Sequence, residues 1–189
     1  MSQIVPSLTD EDILAGVRAF LLEYIIDPGG EVVGDVDNRV AMPKPPYIVM
    51  NHLGKPRIAT NLDEYVTSTT TSTDTAGHIS TTTTTVRSTM QPTKYGLQLD
   101  CVGPTAGDWS QTLSTLWFSD VATDFLAAYG VAPLYADDPR HAPWVNGEQQ
   151  WESRWIVNVY MQVNPVLEFV VPAFDTDTLE VGIIDVEIQ

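Results

Sequence analysis

The chain has 189 residues, with 9 basic against 25 acidic side chains and a formal net charge of −16 at neutral pH. That length suits one domain with a sizeable core, and 43% apolar residues exclude wholesale disorder. The charge disfavours a surface that grips nucleic-acid phosphates, because no dense Lys/Arg patch exists.

No apolar run approaches the roughly 20 residues that span a bilayer, so no membrane partner is expected. Met1–Pro6 has neither the basic nor the apolar region of a signal peptide. A single cysteine, Cys101, cannot form an intrachain disulfide, which points to a reducing compartment.

Thr9-Asp10-Glu11-Asp12 opens the first helix. Thr9 can cap it, Asp12 occupies the capping-box position, and the acids suit the positive end of the helix dipole. Ile13, Leu14, Val17, Phe20, Leu21, Tyr24 and Ile25 recur at the spacing of a one-faced helix, which Asp27-Pro28-Gly29-Gly30 ends. Pro43, Pro45 and Pro46 then favour an irregular or edge segment. They lead into Tyr47-Ile48-Val49-Met50, a short strand that reads as buried on both faces.

Residues 66–90 hold sixteen Ser or Thr among twenty-five. Threonine is β-branched and favours strands, and Asp74-Thr75-Ala76-Gly77 supplies a turn. The expectation is a hairpin arm over 64–90, protruding from a single domain over 1–189. It is polar on both faces, and an ordered two-stranded arm needs something to lie on. Strand pairing with a neighbouring subunit would supply it, through positions such as Thr70 and Thr83. A flexible Ser/Thr-rich loop is the bland alternative.

Tyr95–Gly103 alternates as a strand, with Cys101 a small core residue and not a nucleophile, since no basic group near it in sequence would lower its pKa. A second helix is expected over about Gly107–Tyr129, capped by Thr105 or Asp108. Its stripe is Trp109, Leu113, Leu116, Trp117, Val121, Phe125 and Ala128, and Gly130 ends it. Pro133–Gly147 reads as a polar loop. Glu148–Gln162 reads as one strand with Trp151, Ser153, Trp155, Val157, Val159 and Met161 on one side. Val166–Val171 and Leu179–Ile188 complete the strands. The fold class is α+β: a mostly antiparallel sheet with two main helices on one face.

Chemistry is sparse. His52, His78 and His141 are isolated, and no zinc, phosphate-loop, dinucleotide or nucleophile-elbow motif occurs. No cofactor is implied. Asp137, Asp138, His141, Glu148 and Glu152 could supply ligands for a divalent metal, and a metal-dependent hydrolase would use Asp137, Asp138, His141 and Glu148, though the spacing matches no ligand loop and Asp137-Asp138-Pro139 also suits a turn. A surface-binding module is a further alternative. It would expose aromatics, whereas the tryptophans here fall at core-like positions.

The charge is uneven. Residues 1–94 carry seven basic and eleven acidic groups, whereas residues 95–189 carry two basic and fourteen acidic. Those two cations, Arg140 and Arg154, are each expected to be held by a carboxylate. On one strand Glu152 and Arg154 would point the same way, paired with each other or with groups on an adjacent strand or subunit.

Asn38-Arg39-Val40-Ala41-Met42-Pro43 with Pro45–Met50, then Gln98–Gly103, then Pro133-Leu134-Tyr135-Ala136-Asp137-Asp138-Pro139-Arg140 running into Asn146–Trp155, resemble the neck or tail terminator proteins of contractile-tailed phages. The third motif is the longest and most specific. The resemblance spans about residues 10–175, and the Thr-rich stretch departs from it in being far more repetitive.

The resemblance implies a virion structural protein without catalytic activity, made in the host cytoplasm. Such proteins assemble as a ring, usually of six, that caps the tail tube and joins it to the head connector. Partners would be further copies, tail tube and sheath proteins and connector or adaptor proteins, with DNA passing through the lumen unbound. The subunit interface expected from the two readings together comprises Arg39, Thr70, Thr83, Asp137, Asp138, Arg140, Glu148, Glu152 and Arg154.

Overall fold

The computed structural model describes residues 4–34, 43–73, 79–145, 147 and 149–171. It is an α+β fold of three helices and mainly antiparallel strands. Its described residues fall into two compact units, one within 1–62 and 89–167, the other within 63–88 and 168–189.

Helix α1 spans Asp10–Tyr24. Both halves of the capping box form: Thr9 Oγ1 accepts from the Asp12 backbone N–H at 3.2 Å, and the Asp12 carboxylate accepts from the Thr9 N–H at 2.9 Å. The shorter aspartate therefore closes a box more often closed by glutamate, and these hydrogen bonds hold the Asp12 carboxyl below its ordinary range. Ile13, Val17, Phe20, Leu21 and Ile25 are buried as the periodicity predicts.

The larger sheet runs β1 (Glu31–Gly34), β2 (Tyr47–Gly54), β5 (Thr93–Val102), β10 (Arg154–Val163), β6 (Val131–Ala136), with β7 (Arg140–His141) also on β10. Only β1 and β2 pair in parallel within this sheet. The strand after the prolines is thus interior, and Glu31–Gly34, which the sequence pattern did not single out, takes the edge. The Pro45–Pro46 bond is cis, and residues 38–42 lie outside the described residues.

On one face of the sheet, Ile48 and Met50 from β2 join Leu97, Leu99 and Cys101 from β5 and Val157, Val159 and Met161 from β10. Phe20, Leu113, Trp117 and Leu126 from the helices pack into the same core. Trp117 is fully buried and satisfies its indole N–H on the Tyr160 carbonyl at 3.2 Å.

The expected second helix is two: α2 (Ala106–Trp117) and α3 (Asp120–Ala127). Ser119 breaks the run. Its backbone is extended, its N–H and hydroxyl both bond the Leu116 carbonyl, and Asp120 follows in the first turn of α3. The apolar phase restarts there, so Ala122 and Leu126 are buried while Val121 turns out and Phe118 is 64% exposed. Thr105 sits at the α2 N-cap without a side-chain capping bond.

The expected strand over Glu148–Gln162 also divides. β10 buries Val157, Val159, Met161 and Val163 as alternation predicts. The preceding pair, β9 (Trp151–Glu152), leaves the sheet and pairs with β8 (Trp144–Val145) as a small flap. The β10–β5 register carries on one pair further, the Ser153 carbonyl accepting from the Gly103 N–H at 3.0 Å, and beyond it the chain pairs with β8 instead. Trp151 is consequently 75% exposed, which corrects its expected place on a core-like face.

In the second unit, β3 (Leu62–Thr73) and β4 (Ile79–Met90) are neighbours in a three-stranded sheet completed by β11 (Val166–Val171). Thr67 and Thr85 join hydroxyls across them at 3.0 Å. Arg87 pairs with Asp63 at 2.6 Å and lies over the rings of Tyr65 and Phe169. The connecting residues 74–78 and the expected strand over Leu179–Ile188 lie outside the described residues.

Candidate subunit interface

The helices cover one face of the larger sheet, and the other carries polar and aromatic side chains. Strand register places Asn51, Gln98 and Asn158 side by side there, with Val49, Asp100 and Ile156 in the adjacent row and Tyr47, Val102 and Arg154 beyond it. Asp100 is only 6% exposed and accepts three charge-assisted bonds: Asn51 Nδ2 at 3.0 Å, Gln98 Nε2 at 2.9 Å and Arg154 Nη2 at 2.6 Å. Arg154 therefore finds its carboxylate across a strand, one of the two arrangements expected for it.

Above this cluster lies a cleft of about 210 Å³ lined by Tyr47, Val49, Asn51, Asp100, Val102, Trp144 and Arg154. The flap supplies Trp144, whose indole N–H bonds Glu152 at 3.2 Å. Burial raises the Tyr47 hydroxyl pKa above its ordinary value, and the nearby negative charge of Glu152 adds to this. None of this cluster except Arg154 and Glu152 was singled out for a role from sequence. The available signal was a carboxylate, Asp100, set between the apolar Leu99 and Cys101 of β5.

The other predicted positions divide by location. Asp137 is locked between β6 and β10: its N–H bonds the Asn158 carbonyl at 2.8 Å and its carboxylate accepts from Asn158 Nδ2 at 2.9 Å. Asp138, on the connection into β7, and Arg140, the first residue of β7, are exposed, and Arg140 makes no ion pair among the described residues. His141 lies against Trp155 with ring centroids 5.0 Å apart and the rings tilted by 37°. Glu152 and Arg154 flank the break between β9 and β10. Thr70 and Thr83 are exposed on β3 and β4 in the second unit. Arg39 and Glu148 lie outside the described residues.

As for metal chemistry, among the described residues no three of His, Cys, Asp and Glu converge in a way that would hold an ion. Cys101 is fully buried, and burial pushes its thiol up to about 12, reinforced by the charge of Asp100. No helix among the described residues is long and apolar enough to cross a membrane.

The family comparison gives the setting. The model of the phage neck terminator proteins matches residues 11–189, nearly the whole chain, and the chain belongs to that family. Membership makes it a structural component of the phage neck, in contact with other tail or head proteins. None of the curated proteins matches the sequence.

Proposed function

We propose that the chain assembles as a ring, usually of six copies, that caps the finished tail tube and joins it to the head connector, with no catalytic step. The family match over residues 11–189 carries this reading. Tail tube, sheath and connector proteins are its partners, and DNA passes through the lumen during packaging and ejection. The arm over 64–90 lies along the neighbouring subunit by strand pairing, through Thr70 and Thr83. Arg39, Asp137, Asp138, Arg140, Glu148, Glu152 and Arg154 contribute to the seam between copies.

The charge is consistent with such a conduit. Six copies of a −16 chain carry −96 formal charges. Each Lys/Arg contact to phosphate would hold the duplex, whereas carboxylates repel it and leave it free to slide. Light scattering of the purified chain, alone and with tails lacking their terminator, tests the reading. A closed oligomer that restores tail-to-head joining supports it, and a monomer under both conditions contradicts it.

A further inference from the structure

Heterologous contacts that close by rotation need two different patches on one subunit, each complementary to the other. Among the exposed apolar residues of the first unit, two groups lie on different elements, one with a cation near it in sequence and the other with a carboxylate. On the flap, Val145 and Trp151 are cross-strand partners, 47% and 75% exposed. Trp144 and Glu152 form the neighbouring pair, joined by the bond from the indole N–H. Arg140, exposed and without an ion pair among the described residues, precedes β8 by four positions.

At the helices, the Ser119 break turns out Phe118 and leaves Val121 37% exposed. Asp124 is exposed one turn along α3 from Val121. A tryptophan exposed to this extent on a two-stranded flap is costly in water and is the residue type most enriched at binding hot spots. The cation near one group in sequence and the carboxylate near the other supply the charge complementarity that selects a partner and its register.

We infer that the flap of one copy, through Val145, Trp151 and Arg140, docks on the α2–α3 corner of the next copy at Phe118, Val121 and Asp124. The inference rests on the ring reading and specifies which surfaces meet. The contact is head-to-tail, so each copy spends a different patch on each neighbour.

Paired cysteines test it. Gly147→Cys on the flap and Thr115→Cys on α2, both exposed and outside the proposed contact residues, are placed together in the full chain, and buried Cys101 is left in place. A short bis-maleimide should then give a ladder of covalent multimers from the double variant and no multimer beyond a dimer from either single variant. Arg140→Asp should weaken assembly about tenfold, and Asp124→Arg added to it should restore assembly. Rings without a ladder, or rings indifferent to the charge exchange, overturn this contact and leave the ring reading standing. A chain that stays monomeric with tails present overturns both.

Discussion

Cys101 and Asp100 are sequence neighbours with opposite fates. The thiol faces the helix-covered core, where burial keeps it protonated near neutral pH. It should resist a thiol reagent at pH 8 in the native protein and react fully once the chain is unfolded in denaturant. Asp100 faces the open side and gathers three donors. Asp100→Ala removes the partner of Arg154 and should cost roughly 2–3 kcal/mol, read as a fall in the denaturant midpoint. The thiol's inert role was legible from its lack of basic neighbours. The donor set was not, because Asn51 and Arg154 come from strands 49 and 54 residues away in sequence.

Close packing makes a comparable prediction at Gly16. A Cβ there would come within 2.7 Å of the Tyr129 ring, so α1 approaches the residue after α3 because it has no side chain. Gly16→Ala should destabilise the fold by about 1–3 kcal/mol, measured by chemical denaturation.

Among the elements, α1 and β10 were legible because one residue pattern governs each along most of its length. The capping box and the buried Ile13, Val17, Phe20 and Leu21 of α1 follow directly from its spacing, whereas Tyr24, on the same stripe, is 41% exposed. Ser119-Asp120 is a helix-start signal set inside an apolar stripe that runs on past it. Ser153 is pinned to Gly103, a partner no local pattern names. An aromatic turns outward beside each, Phe118 at one and Trp151 at the other.

The Ser/Thr-rich strands of the second unit are the remaining element whose sequence calls for a partner. Replacing Val66–Ser88 with a short Gly-Ser link should leave the larger sheet and its helices folded, while assembly with tails is lost. Calorimetry and reconstitution read the two outcomes separately. Normal assembly of that variant would remove the arm from the account.

For the whole molecule, family and fold class were both within reach of the sequence: the motifs carry the resemblance, and the order of elements gives α+β. The −16 charge first excludes a DNA-gripping surface, and within a neck protein it suits a conduit. The assembled protein should therefore fail to retain duplex DNA in a mobility-shift assay even at low salt, where any phosphate contact would be strongest. Retention that falls steeply with added salt would identify a basic lumen instead.

The central claim is the ring, and electron microscopy of the chain bound to terminator-free tails tests it most directly. The expected image is a closed ring of identical subunits seated at the tail end, with an open lumen wide enough for duplex DNA. Single subunits scattered on the tail, or a plugged cap without a lumen, would contradict it.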